Sequence, residues 1–151
     1  MKKSFQAVTV LILTLVLISC GGGGGGGSSS SSASTDTSGS SSVTTLQRVA
    51  TTPGTGALAV NGNKLSVNYS LWLYDSSKAS NEGKFIESGT YAFVLGAGAV
   101  IPGWDQGLVG VQAGGTYTLT IPSALAYGAT GSGSIPPNAA LVFTLTIISI
   151  S

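Results

Sequence analysis

An α+β domain, an antiparallel sheet with one solvated face and one face covered by a single short helix, is what residues 43–151 predict. Three observations carry that prediction. Apolar residues alternate with polar ones in several short runs, the signature of half-buried strands. Only one stretch has a helical period. A sharp change of composition near residue 42 separates this part of the chain from a Gly/Ser tract and an apolar leader.

The strands come first. Leu65, Val67, Tyr69, Leu71 and Leu73 point one way, with Ser66, Asn68, Ser70 and Trp72 between them. Tyr91, Phe93 and Leu95 repeat the pattern, as do Tyr117, Leu119 and Ile121. In the last run Leu141, Phe143, Leu145 and Ile147 share a face opposite Thr144 and Thr146. The helical stretch is Ile101, Trp104, Leu108 and Val111, spaced three, four and three apart, with Pro102 placed to open a first turn. Gly114 and Gly115 follow it. Residues 75–83 form a polar excursion between two strands, a hairpin tip or bulge. Residues 127–138 are rich in Gly and Pro and form a loop, yet they carry Tyr127 and Ile135, which a solvated loop does not need.

The first twenty residues read as an export signal. Lys2 and Lys3 form a basic start, and residues 7–18 are apolar except for Thr9 and Thr14. That run is shorter than the roughly 20 residues a membrane-spanning helix requires. Its end, Leu17-Ile18-Ser19-Cys20, resembles the lipobox of bacterial lipoproteins, which implies cleavage after residue 19 and lipid attached to the Cys20 thiol. Seven glycines and a Ser/Thr/Ala run then form a flexible tether over residues 20–42, with a root-mean-square span of roughly 25 Å. The expectation is a protein of the cell envelope, lipid-anchored to a membrane. Gly21 after the cysteine resembles an outer-membrane sorting signal, with the domain facing the periplasm or the exterior.

Composition removes most chemistries. There is no histidine, and Cys20 is the single cysteine. A Ser-His-Asp triad, a His/Cys zinc site and an intramolecular disulfide are therefore excluded. Beyond the leader, four basic residues face five acidic ones, a net charge of −1, with no basic cluster to hold nucleic acid.

The folded part resembles the FKBP family of peptidyl-prolyl isomerases, the macrolide-binding immunophilins. The resemblance rests on Val100-Ile101-Pro102-Gly103-Trp104-Asp105-Gln106-Gly107-Leu108, on Leu119-Thr120-Ile121-Pro122, on Ala126-Tyr127-Gly128, and on Ile135-Pro136-Pro137-Asn138-Ala139-Ala140-Leu141-Val142-Phe143. It covers residues 47–150 and implies a bent antiparallel sheet wrapped around one short helix. It implies a proline pocket with Trp104 as its floor and Tyr69, Tyr91, Val100, Ile101 and Phe143 as its walls. The Ile101 N–H would hold a substrate carbonyl, Tyr127 would offer its hydroxyl, and Ile135 would close the rim. Proline-containing polypeptides are the implied clients and rapamycin-class macrolides the implied ligands, for a monomer that needs no cofactor.

Many members carry Phe-Asp-Ser in the strand after the first hairpin, the Asp being a pocket carboxylate. Here the stretch is Phe85-Ile86-Glu87-Ser88-Gly89, and two registers fit. With Ile86 in the Phe place, Glu87 supplies the acid, one methylene longer, and Ile86 joins the pocket. With Phe85 in that place, Ile86 replaces the Asp and the carboxylate is lost. The apolar-acid-Ser order favours the first. The main rival to an isomerase of exported proteins is a peptide-binding or holdase module that keeps the pocket without useful turnover.

Overall fold

The computed structural model describes residues 39–151; Cys20, the leader and the tether as far as residue 38 lie outside the described residues. Five strands, β1 (Gln47–Thr52), β2 (Lys64–Tyr74), β3 (Glu82–Val94), β4 (Thr116–Ile121) and β5 (Leu141–Ile150), form one antiparallel sheet ordered β1-β4-β5-β2-β3. One α-helix among the described residues, α1 (Pro102–Gly107), packs against it. The α+β class expected from the sequence is the one observed.

Alternation explains the central strands. In β4, Tyr117, Leu119 and Ile121 are buried and the threonines between them are half-buried. In β5, Leu141, Phe143, Leu145 and Ile147 enter the same core as Leu65, Val67 and Leu71 of β2. The helix opens on Pro102, whose missing N–H costs nothing at a first helical position. It is shorter than the apolar spacing extends: Leu108 caps it and Val111 lies beyond, both fully buried. Gly103 and Gly107, four apart and so on one face, let it approach β4 closely. A Cβ on Gly103 would sit 2.4 Å from Ile121, and one on Gly107 2.9 Å from Leu119.

Two elements carry little or no burial alternation. All six residues of β1 are exposed, so it pairs along β4 without an apolar face. Arg48 ties it to the helix end by donating to the carbonyls of Gly107 at 3.0 Å and Val109 at 2.6 Å, where a cation suits unpaired carbonyls. Strand β3 runs thirteen residues with only Phe93 buried. Residues Ser40–Ser42, inside the stretch read as tether, form a 3-10 turn with Ser40 buried and Gly39 packed against Ser76.

The irregularity that matters for the site lies between β2 and β3. Leu71 faces Glu87 and Trp72 faces Phe85, so Ile86 is an extra residue on β3, a bulge. The pairs Leu71–Glu87, Tyr69–Gly89, Val67–Tyr91 and Leu65–Phe93 share the core-facing side. Phe85 faces outward, edge-on to Trp72.

Candidate active site

Over the helix the aromatic side chains of three strands converge. The Trp104 indole is 5% exposed, with its ring centre 5.6 Å from Tyr69, 5.5 Å from Phe93 and 5.3 Å from Phe143. Tyr69 and Phe143 meet it edge-on, at 70° and 81°. Such offsets suit the ring quadrupoles better than face-to-face stacking. Tyr91 lies stacked on Phe93 at 6.2 Å and is 47% exposed, which makes it a rim residue.

These rings enclose one side of a cavity of about 420 Å³. Trp104, Tyr69, Tyr91 and Phe143 line it, Ala99, Val100 and Ile101 form the wall ahead of the helix, and Tyr127 and Glu87 complete it. The volume lies in the range of small-molecule sites, about 300–1,000 Å³, and its lining is chiefly apolar with a few convergent polar groups.

Those polar groups are coupled. The Tyr69 hydroxyl donates to Oε1 of Glu87 at 3.2 Å. Desolvation, reinforced by the charge of Glu87 and by this hydrogen bond, pushes the Tyr69 phenol above its ordinary pKa. Burial, and then the charge of Glu87, push Tyr127 the same way. Both hydroxyls therefore stay protonated, and able to donate, throughout the neutral range. No group of three or more His, Cys, Asp and Glu side chains among the described residues could hold a metal ion.

The fold brings eight of the residues singled out in the sequence to one cavity: Tyr69, Glu87, Tyr91, Val100, Ile101, Trp104, Tyr127 and Phe143. Ile86 and Ile135 do not line it. Ile86 is the bulge residue, half-buried and packed against the core cluster. Ile135 is 7% exposed and belongs to the core itself. A two-way backbone pairing between Ser132 and Ile135 turns the loop tip, and the isoleucine anchors that loop inward instead of closing a rim. Of the two registers, it is the Glu87 carboxylate that reaches the cavity. Cys20 lies outside the described residues.

Two residues at the site escaped the sequence reading. Ala99 lines the wall with a side chain too small to register in any pattern. Asp105 accepts hydrogen bonds from the backbone amides of Gly96 at 2.9 Å and Gly98 at 3.0 Å. A glycine-rich run a few positions before a helical acid was the available signal for it.

The family model of FKBP-type peptidyl-prolyl cis-trans isomerases matches residues 56–148. A relative described as an FK506-binding protein from Neisseria meningitidis serogroup C is 40% identical over 96 residues, spanning 63% of this chain and 86% of that protein. Among solved structures, a peptidyl-prolyl cis-trans isomerase from Pseudomonas syringae pv. tomato superposes with a TM-score of 0.60 at 32% identity, over 70% of this chain and 75% of that one. FkpA from Escherichia coli gives the same TM-score and identity over 70% of this chain, but only 48% of its own.

Proposed function

The chain belongs to the FKBP-type peptidyl-prolyl cis-trans isomerase family, and we propose that this isomerase works on exported proteins from a lipid anchor at Cys20, holding the X-Pro bond in the cavity above Trp104. The convergence of Tyr69, Phe143 and Phe93 on one buried indole carries the assignment of the cavity. The prolyl ring would rest on Trp104, with Tyr91 and Val100 at its sides. Ile101 precedes the first helical position, so no carbonyl one turn earlier competes for its N–H. That N–H would dock a substrate carbonyl.

The reaction fits an apolar site without a nucleophile. Rotation about the peptide C–N bond is opposed by about 18–20 kcal/mol of lost resonance. The twisted amide carries less charge on its oxygen and is less strongly hydrated than the planar one. A cavity that strips water therefore raises the planar state more than the twisted state and lowers the barrier between them. Glu87 and the Tyr69 and Tyr127 hydroxyls would shape the field around the turning carbonyl. Proline-containing segments are the clients on this reading. FK506- or rapamycin-class macrolides would compete for the same floor.

In a proline-limited refolding or protease-coupled assay, the full chain should accelerate a step that takes about 10–100 s unaided. A macrolide should abolish the acceleration; turnover that persists at saturating macrolide would place the reaction outside this cavity. A hydrogen bond to a charged partner is worth about 1.5–3 kcal/mol, a factor of roughly ten to a hundred if made only in the transition state. Glu87 lines the cavity but is exposed at its mouth, and desolvation carries most of the effect, so Glu87→Gln should lower kcat/KM about three- to fivefold, with macrolide affinity nearly unchanged. Ile86→Asp should damage the fold by placing a charge against the core. A gain of activity from Ile86→Asp would reverse the assignment of the acid.

Anchoring has its own test. Cys20→Ala should abolish incorporation of labelled fatty acid and partitioning into a detergent phase. Partitioning equal to that of the unaltered protein would sink the lipoprotein reading and, with it, the envelope location.

A further inference from the structure

We propose that Asp105 is a positioning residue for isomerisation, a latch whose carboxylate fixes the cavity wall to the helix that carries the floor. It rests on the reading above that the prolyl ring lies over Trp104. Asp105 follows Trp104 directly, and its two carboxylate oxygens are used separately: Oδ1 accepts from Gly96 N–H and Oδ2 from Gly98 N–H. The backbone of the same residue holds the other end of the segment, since the Asp105 N–H donates to the Ile101 carbonyl at 3.4 Å and Trp104 N–H to the same oxygen at 2.9 Å. Residues 96–101 are thus tied at both ends to one turn of helix.

That segment needs a latch. Gly96 and Gly98 both adopt left-handed backbone, φ 79° and 69°, and the glycine and alanine side chains of residues 96–99 give little to pack. Residues 96–99 are all exposed. Yet the segment ends in the wall itself: Ala99, Val100 and Ile101 line the cavity, and the Ile101 N–H is the proposed docking donor. Without the carboxylate, the helix and its indole stay in the core while the wall drifts away from them. The loss would fall on binding of the X-Pro segment, more than on the rotation of a segment already bound.

The test uses the full chain and three variants. Asp105→Ala removes both acceptors; Asp105→Asn keeps one carbonyl oxygen and loses the charge. Arg48→Ala is the control, because it unties the far end of the same helix from β1 without touching the wall. Asp105→Ala should raise KM for an X-Pro peptide about tenfold with kcat changed less than about twofold, and weaken macrolide binding in proportion. Asp105→Asn should fall between. In both, the Gly96 and Gly98 amides should exchange with solvent faster while the β5 amides keep their protection. Arg48→Ala should lower the denaturation midpoint with KM unchanged. A KM for both Asp105 variants within twofold of the unaltered protein would overturn the proposal. So would a KM change that Arg48→Ala reproduces at equal loss of stability. Should Asp105→Ala fail to fold, Asp105→Asn decides the matter. An unaltered chain without turnover would count against the function reading alone, and macrolide affinity with the two amide exchange rates would still decide the latch.

Discussion

Trp104→Ala should remove nearly all isomerase activity, at least a hundredfold in kcat/KM, and abolish measurable macrolide binding in the same concentration range. The expectation follows from what the indole touches. Trp104 is the one side chain that lines the cavity, sits on the helix and contacts Tyr69, Phe93 and Phe143 at once. Truncating it takes away the floor and opens the core beneath, and Trp→Ala in a core costs about 3–5 kcal/mol. A loss of activity by unfolding must therefore be separated from a loss by missing contact. Trp104→Phe does this. The Trp104 Nε1 is buried and has no hydrogen-bond acceptor among the described residues, and such an orphan donor costs about 1–3 kcal/mol. Phenylalanine discards the orphan along with part of the ring area, so its net stability cost should stay within about 1 kcal/mol. Its floor is smaller, so kcat/KM should still fall about tenfold. Chemical denaturation and a proline-limited refolding assay on both variants check the pair. A Trp104→Phe protein that folds well and turns over at the original rate would show that the floor lies elsewhere.

The pocket was legible in the sequence to the extent that its residues sit on regular elements. Tyr69 and Phe143 fall on the core-facing phase of β2 and β5, where alternation fixes direction, and Trp104 falls on the apolar spacing of the helix. Direction fails to follow from sequence where the ladder slips. The bulge at Ile86 reverses the phase of β3 between Phe85 and Glu87, and nothing in the residue types marks it. The residue types therefore fit both registers, and the pairing of Leu71 with Glu87 separates them. Strand β1 was invisible for a different reason: six exposed residues have no apolar face to alternate. The family resemblance implies Ile135 at the rim of the proline pocket, and the paired turn of residues 132–135 sends it inward instead. Asp105 is marked only by the glycine-rich run ahead of it, because its partners are backbone amides seven and nine residues earlier, joined through a left-handed loop.

Gly103→Ala should cost about 2–3 kcal/mol of stability and raise KM for an X-Pro peptide. The added Cβ would stand 2.4 Å from Cγ2 and 2.8 Å from Cδ1 of Ile121, with the Leu125 carbonyl oxygen at 3.1 Å. None of these can move cheaply. Ile121 is fully buried in β4, its Cγ2 branches directly from Cβ, and β-branched side chains are stiff at χ1. The carbonyl is backbone. The helix must therefore lift from β4, and Trp104, the next residue, lifts with it. A gain in helix propensity of about 1 kcal/mol for Gly→Ala works the other way and is too small to compensate. Gly107→Ala supplies the comparison. Its Cβ would meet only the far end of Leu119, Cδ1 at 2.9 Å and Cδ2 at 3.1 Å, which can rotate by a few tenths of an ångström. With the same propensity gain, its net cost should stay below about 1 kcal/mol. The mechanism is isolated by removing the obstacle. Ile121→Ala alone should cost about 2–5 kcal/mol, yet combined with Gly103→Ala the pair should cost at least about 1 kcal/mol less than the sum of the two. Denaturation midpoints of the four proteins complete the cycle, and strict additivity would show that the helix tolerates the methyl group without leaning on Ile121.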